Sequence, residues 1–322
     1  MLGDEGMRFL SRKISGTECT VHQCDSAKKG PRVAITANIH GDECNGVVVV
    51  QQLLERVASE LLCGSLILYP SLNPSGLRRH VRTLPPFEKD INRQFPGNIR
   101  GDALEQHVAR IWSDLKSYEL DLVIDLHTDS GESYPYVLLD RSIVLNSSLA
   151  KKIWILGEES RMFSIWEYPL RRYRQFNLQN SLAGTVLNQL KIPSLTIEVG
   201  PRRHIRASSV ELAFKAIQNI LVSLGMLDKS KCEDLGLRVP YGIWRRETGP
   251  RSSEKGLIFP LVEVGIRLAK SDPIANIINE EGVIQEKIYA PEPCVVLSYP
   301  DIGYIQARQP VCTLAVLEFE EI

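Results

Sequence analysis

From Arg32 onward the chain alternates short, almost wholly apolar runs with longer amphipathic ones, and that alternation leaves few folds open to it. Residues 32–39 read as a buried strand, 43–62 as a helix, and Ser65–Tyr69 as a second buried strand closed by Pro70. Asp102 opens a helix with Leu104, Val108, Ile111, Trp112 and Leu115 on one face. Residues 121–126 form a third buried strand that ends at His127, and 134–139 a fourth. Helices are predicted over 145–156, 181–190 and 210–224, and a further strand over 193–199. Apolar strands separated by helices require a mainly parallel sheet covered on both faces.

The ends of this region differ from its middle. Residues 7–24 alternate loosely and read as one or two antiparallel strands turning near Gly16. After about residue 227 helical signals fade into short β-rich runs at 266–268, Pro273–Ile278, Ile284–Tyr289, 294–297, 304–306 and 311–317. Gly256, Gly265, Gly282 and Gly303 punctuate them. The expected organisation is an α/β domain over residues 1–235, with a mixed, mainly parallel sheet flanked by helices, and a small all-β domain over 236–322.

With 322 residues there is ample material for a buried core, and the formal charge of −1 argues against nucleic-acid and membrane-surface binding. The seven cysteines are scattered without a CxxC pair, so reduced thiols in a cytoplasmic protein are expected. The residues Met1 to Glu5 lack a signal-peptide pattern, and no apolar run approaches the roughly 20 residues needed to span a bilayer. A homo-oligomer is compatible with all of this.

Three predicted strands end in residues of catalytic type: His40 with Glu43 close behind, His127, and Glu198 within Ile197-Glu198-Val199. In an open α/β sheet ligands bind at the carboxyl ends of parallel strands, which would gather all four residues. Two imidazoles and a carboxylate form a catalytic zinc set, with Glu198 left as a general base. Asp42 is placed to cap the helix that follows. Residues 71–101 carry Pro74, Pro85, Pro86 and Pro96 without usable periodicity, a length of irregular chain that usually serves function. Within it, Arg82 and the Asp90-Ile91-Asn92-Arg93 run supply forks suited to carboxylates.

Taken together, His40-Gly41-Asp42-Glu43, Asn73-Pro74, Asp90-Ile91-Asn92-Arg93 with Phe95-Pro96-Gly97, Asp125-Leu126-His127 and Ile197-Glu198-Val199-Gly200-Pro201 resemble, in that order, the succinylglutamate desuccinylase/aspartoacylase family, which is related to the zinc carboxypeptidases. The resemblance runs from residue 40 to 201, and the β-rich tail also looks like the family's C-terminal domain. It implies a zinc carboxypeptidase-like fold and one zinc ion held by His40, Glu43 and His127. Glu198 would activate the zinc's water and protonate the leaving amine. Arg82 would polarise the scissile carbonyl, with Arg78 or Arg79 as alternatives, and Asn92 and Arg93 would grip the carboxylate of a small-molecule substrate. A site-closing tyrosine has Tyr241 and Tyr289 as candidates.

The function implied is deacylation of an N-acyl amino acid or similar small carboxylate. A metallocarboxypeptidase acting on peptides would use the same metal and glutamate, and a zinc-binding protein without catalysis is the remaining alternative. His22, His107 and His204 lie outside the motifs and read as surface or locally hydrogen-bonded residues. His80 sits among arginines near the motif segment, and Cys44 reads as a small buried residue. Arg171, Arg172 and Arg174 either select an acidic substrate or are solvated.

Overall fold

A computed structural model describes residues 7–144 and 146–318. Strands β1 (Arg8–Lys13) and β2 (Thr20–Asp25) form an antiparallel hairpin, with Gly16 between them at φ +71°. Then come β3 (Arg32–Ala37), β4 (Ser65–Tyr69), β5 (Leu122–His127), β6 (Glu132–Ser133), β7 (Tyr136–Leu139), β8 (Phe163–Trp166) and β9 (Ser194–Glu198). Strands β4, β3, β5 and β9 lie side by side in that order and are mutually parallel. Strand β7 runs antiparallel to β9 and β8 parallel to β7, so the sheet is mixed.

The helices are α1 (Asn45–Arg56), α2 (Pro74–Arg79), α3 (Ala103–Lys116), α4 (Ser147–Glu159), α5 (Leu170–Gln175), α6 (Leu182–Thr185) and α7 (Ala207–Ser223). Because side chains alternate along a strand, the continuous apolar runs bury two faces at once. On one face Val33, Ile35, Leu66, Ile124, Leu126 and Ile197 meet residues of α1, α4 and α7. On the other, Ala34, Ile67, Tyr69 and Val123 meet Leu104, Val108, Ile111, Trp112 and Leu115 of α3. Asp125 and His127 share the face of Val123, and Thr196 and Glu198, paired in register with Asp125's strand, share it too. The polar residues of the strands therefore emerge on the α3 side. Helix α1 presses on the opposite side so closely that a Cβ on Gly46 would come within 2.9 Å of Leu126 and 3.0 Å of Ala37.

Local chemistry explains where several elements begin. Asp102 and Glu105 form a reciprocal capping box: Glu105 N donates to Asp102 Oδ1 at 2.9 Å and Asp102 N to Glu105 Oε2 at 3.0 Å. Asn73 caps α2, which has Pro74 at its first position. Residues 71–101 are thus not wholly irregular, since they hold α2 and a 3₁₀ turn at Ile91–Arg93.

Other expectations need correction. The helix predicted from residue 43 starts at Asn45, with Cys44 at its N-cap making no side-chain cap bond. Asp42 does not cap it. The preceding loop is wound around Asn38, whose amide donates to the carbonyls of His40, Gly41 and Glu43, and that turns Asp42 toward Arg203 Nε at 3.6 Å. The helix predicted over 145–156 is Ser147–Glu159, capped by Asn146; residue 145 lies outside the described residues, as do Met1 to Glu5. Residues 181–190 form α6 followed by a π turn at Val186–Leu190. Strand β8, four residues long, and helix α5 are too short to show a period.

Strand β10 (Trp244–Thr248) returns to the main sheet, pairing parallel with β8 through Trp244↔Ile165. The C-terminal region then supplies β11 (Gly256–Pro260), β12 (Arg267–Leu268), β13 (Pro273–Ile278), β14 (Ile284–Tyr289), β15 (Cys294–Tyr299), β16 (Tyr304–Ile305) and β17 (Thr313–Leu317). Of these, β17, β15 and β12 extend the main sheet beyond β10, while β14-β13-β11-β16 form a separate antiparallel sheet. Hydrogen bonding therefore crosses the point near residue 235 where the sequence changes texture. Trp244, fully buried and edge-on to Phe163 at 6.0 Å, packs that seam. No described helix is long and apolar enough to cross a membrane.

Removing the cap at Asp102 isolates one of these local terms. Asp102→Ala is expected to lower unfolding free energy by about 1 kcal/mol, read as a shifted urea midpoint at constant slope. An unchanged midpoint would show that the capping box contributes nothing.

Candidate metal and catalytic site

The carboxyl ends of β3, β5 and β9 open into a cavity of about 310 Å³ lined by His40, Glu43, Arg82, Asn92, Arg93, His127 and Glu198 among others. At its base the Glu43 carboxylate lies between two imidazoles. His40 Nδ1 is 2.9 Å from Oε1 and His127 Nδ1 is 2.9 Å from Oε2. Thr128 N donates to Oε2 at 3.0 Å. All three side chains are buried, and their candidate ligand atoms lie within 4.8 Å of one another.

Electrostatics at this point are those of a cation site. Burial alone would raise the Glu43 pKa, but His40 and His127 hold it well below the usual carboxylate range. Burial likewise opposes charge on His127, yet Asp125 and Glu43 hold it well above an ordinary histidine. His40 Nδ1 and His127 Nδ1 both face the Glu43 carboxylate, so a divalent cation there would meet imidazole nitrogen and carboxylate oxygen together. Two imidazoles and a carboxylate fit zinc and leave a coordination position over.

The far ring nitrogens are also held. His40 Nε2 is 3.0 Å from Asp90 Oδ1, and His127 Nε2 is 2.9 Å from Asp125 Oδ2. A carboxylate on the distal nitrogen fixes the tautomer and orientation of a ligating histidine. Asp90 also accepts from Asn92 N at 2.8 Å and Arg82 Nη2 at 3.0 Å, while Asp125 accepts from Thr36 Oγ1 at 2.7 Å. Despite burial, His40, Arg82 and Arg93 keep Asp90 below the ordinary carboxylate range. The sequence reading quoted Asp90 and Asp125 only as parts of motifs and missed these roles. Their signal was an acid two residues before His127 and an acid two residues before Asn92.

Glu198 sits beside His127 in register, is buried, and has Oε2 without a hydrogen-bond partner. Burial raises its pKa to about 8, helped by the charges of Asp129 and Glu43 and opposed by His127. Arg82 donates to Glu43 Oε1 at 3.2 Å and lines the cavity. Arg78, paired with Glu18, and Arg79 do not. Arg93 is anchored through Nε to Phe176 O at 3.0 Å and through Nη1 to Asn92 O at 2.7 Å. Asn92 spends its carbonyl oxygen on Leu182 N at 2.7 Å, with its amide nitrogen 3.3 Å from His127 Nε2.

Of the tyrosines considered, Tyr241 is 95% exposed and Tyr289 48%, and neither lines the cavity. Those beside it are Tyr136, bonded to Asp129 Oδ2 at 2.7 Å, and Tyr173, bonded to Asp140. Arg202 and Arg246 line the cavity and were not anticipated. Arg202 is tethered to Asp301 of the C-terminal region at 2.9 Å. His80 is exposed outside the cavity, His107 bonds Leu72 O at 2.8 Å, and Arg171, Arg172 and Arg174 lie outside it.

A model of the succinylglutamate desuccinylase/aspartoacylase catalytic domain matches residues 29–224. The N-alpha-acetyl-L-2,4-diaminobutyric acid deacetylase of Halomonas elongata is 24% identical over 202 residues, covering 62% of this chain and 56% of that protein. The chain thus matches little more than half the length of this curated relative. Among solved structures, a succinylglutamate desuccinylase/aspartoacylase from Rhodobacter sphaeroides has a TM-score of 0.78 at 20% identity, covering 98% of this chain and 96% of the other. The product-bound ectoine utilization protein EutE (DoeB) from Ruegeria pomeroyi gives 0.77 at 20% identity, over 98% and 97%. A metallo-carboxypeptidase from Burkholderia cenocepacia gives 0.52 at 16% identity, over 69% and 65%. These likenesses bear out the mixed sheet flanked by helices.

Two measurements check the electrostatics. Asp90→Asn and Asp125→Asn are each expected to weaken zinc binding about 10- to 100-fold in a chelator competition; unchanged affinity would remove the distal carboxylates from the site. Glu198, with its folded pKa raised to about 8, takes up a proton on folding between its unfolded pKa and that value, so its contribution to stability falls as pH rises through this window. Metal-free Glu198→Gln should therefore gain stability relative to the parent from pH 5 to 8, by on the order of 1 kcal/mol per pH unit. A flat difference would contradict a raised pKa.

Proposed function

The chain belongs to the succinylglutamate desuccinylase/aspartoacylase family, and from that premise we propose that it is a zinc-dependent amidohydrolase removing the acyl group from an N-acyl amino acid or similar small carboxylate. The observation that carries this reading is Glu198: a buried carboxylate with a free oxygen, facing the same cavity as His40, Glu43 and His127. A structural carboxylate at that depth would be expected to have its oxygens satisfied.

His40, Glu43 and His127 would hold the metal, which when bound supplies Lewis acidity and lowers the pKa of a coordinated water. Glu198 takes a proton from the attacking water and returns it to the leaving amine. Burial strengthens the Glu198 carboxylate as a proton acceptor, while positive charge beside it keeps it able to give the proton up again. Arg82, 36% exposed at the cavity wall and locked by Glu43 and Asp90, offers guanidinium charge to the developing oxyanion. Arg93, anchored only by carbonyls, has its charge available for the substrate carboxylate.

Likeness to a metallo-carboxypeptidase supports a second reading, peptide cleavage by the same residues. A cavity of about 310 Å³ favours the small substrate. A screen of N-acetyl and N-succinyl amino acids against short peptides decides between them: peptide cleavage alone would sink the deacylase reading. Glu198→Ala should lower kcat about 10²- to 10⁴-fold with zinc content unchanged. Retained activity, or lost zinc, would remove Glu198 from the proton-transfer role.

A further inference from the structure

Four arginines line the cavity, and their N–H groups are committed very differently. Arg82 gives Nη1 to Glu43 at 3.2 Å and Nη2 to Asp90 at 3.0 Å. Arg93 gives Nε to Phe176 O and Nη1 to Asn92 O. Arg202 gives Nη1 to Asp301 at 2.9 Å and Nη2 to Asp129 O at 2.6 Å. Arg246 donates no hydrogen bond among the described residues, and its Nε is buried without a partner. A guanidinium has a fixed fork of N–H donors, and leaving such groups unpaired in a side chain only 20% exposed is costly. That makes Arg246 the cavity arginine with a whole fork left for a ligand.

Strand pairing places it. Leu138, Ile165 and Trp244 lie side by side across the parallel strands β7, β8 and β10, so Asp140, Glu167 and Arg246 follow two residues later on the same face. It is the face on which Tyr136 stands opposite Glu198. The guanidinium is oriented there without being consumed. Glu167 Oε2 pairs with Arg246 Nη1 at 3.7 Å, an ion pair longer than a hydrogen bond, and the Tyr168 ring lies 5.4 Å from the guanidinium carbon. The charge of Arg246 is felt at Glu198, whose ionisation burial opposes and Arg246 favours. It is felt also at Arg93, whose own charge burial, Arg82 and Arg246 all oppose. Arg246 is thus within electrostatic reach of both the base and Arg93.

We propose that Arg246 is the residue that hydrogen-bonds the substrate carboxylate, with Arg93 adding charge behind it and Glu167 holding the Arg246 guanidinium in place. In an N-acyl amino acid the carboxylate sits on the carbon bonded to the amide nitrogen, so its receptor must stand near the group that protonates that nitrogen. Of the Asn92–Arg93 pair, Asn92 has its carbonyl oxygen on Leu182 N and its amide beside His127, and Arg93 has two nitrogens on backbone carbonyls. An open guanidinium fork receives a carboxylate through two parallel hydrogen bonds, which Arg246 alone of the four can offer without giving up one it already makes. Arg246 lies on β10, outside residues 29–224, so the C-terminal region would supply a substrate-binding group. The proposal rests on the amidohydrolase reading for the bond that is cut, but carboxylate binding is a property of the site whether or not that bond breaks.

Ligand-observed NMR titration of the zinc-loaded protein with L-alanine and L-alaninamide tests this, because the two differ only at the carboxyl group and their methyl side chain makes little demand on the pocket. The carboxylate is expected to tighten binding about 10- to 100-fold. In Arg246→Ala that ratio is expected to fall about 5-fold or more, with zinc content unchanged. Arg246→Lys keeps the charge beside Glu167 and loses the fork, so its ratio is expected to lie between those of the parent and Arg246→Ala. Damage to the fold alone would weaken both ligands and leave the ratio where it was. Equal binding of the two ligands to the parent overturns the proposal, whether or not the variants fold. So does a ratio unmoved in folded Arg246→Ala, or in Arg246→Lys where the alanine variant does not fold, and so does a loss confined to Arg93→Ala. Hydrolysis of N-acetyl-L-alanine then separates the two readings. If the binding ratio falls as expected and no N-acyl amino acid is cut, the receptor stands and the amidohydrolase reading fails. If N-acetyl-L-alanine is cut with the same kcat/KM by the parent and Arg246→Ala, the amidohydrolase reading stands and the receptor fails.

Discussion

The structure of the site depends on one buried carboxylate. Glu43 is 2% exposed, a position at which an isolated charge would cost several kcal/mol. It is met instead by His40, His127, the Thr128 N–H and Arg82, contributed by three separate stretches of chain. The β3–α1 loop, the end of β5 and the segment before α3 converge because each supplies part of what that charge requires. The loop carrying Glu43 is shaped for the purpose: Asn38, left-handed at φ 55°, ties together the carbonyls on either side of it.

Around this centre, charge alternates outward. The imidazoles that face Glu43 are backed by Asp90 and Asp125, and Asp90 is backed in turn by Arg82. Each group is oriented by the next, so side-chain geometry is set before any ligand arrives, which is the preorganisation that metal sites and electrostatic catalysis need. The C-terminal region takes part: Asp301 holds Arg202 against the cavity, and the strands beyond β10 continue the sheet. Mixed strand direction gives the cavity its second pole, because β7 and β8 end at the opposite edge from β5 and β9.

Much of this was legible in the sequence for a physical reason. A strand buried on both faces must be apolar throughout, so His127 and Glu198 at strand ends, and His40 three residues past the end of β3, stand out, because a buried ionisable group is costly unless it serves a purpose. The same logic yields β3, β4, β5 and β9 to within a residue or two, and the capping box at Asp102 announces α3. Four-residue β8 and six-residue α5 left no such trace, since neither spans enough residues to show a period. Asp42 was misjudged because a cap is decided by where the backbone turns, and Asn38 turned it elsewhere.

By itself, then, the sequence determined which residues are of metal-binding and proton-transferring type and that parallel strands carry them, because burial and side-chain alternation are local properties. Only the tertiary structure decided which acids stand behind His40 and His127, which arginine among Arg78, Arg79 and Arg82 faces Glu43, and that Asp140 and Glu167 share the cavity with Glu198. Those pairings join residues distant in the chain, through strand order and direction, and a pairing set by sheet topology leaves no periodic mark on the residues it brings together.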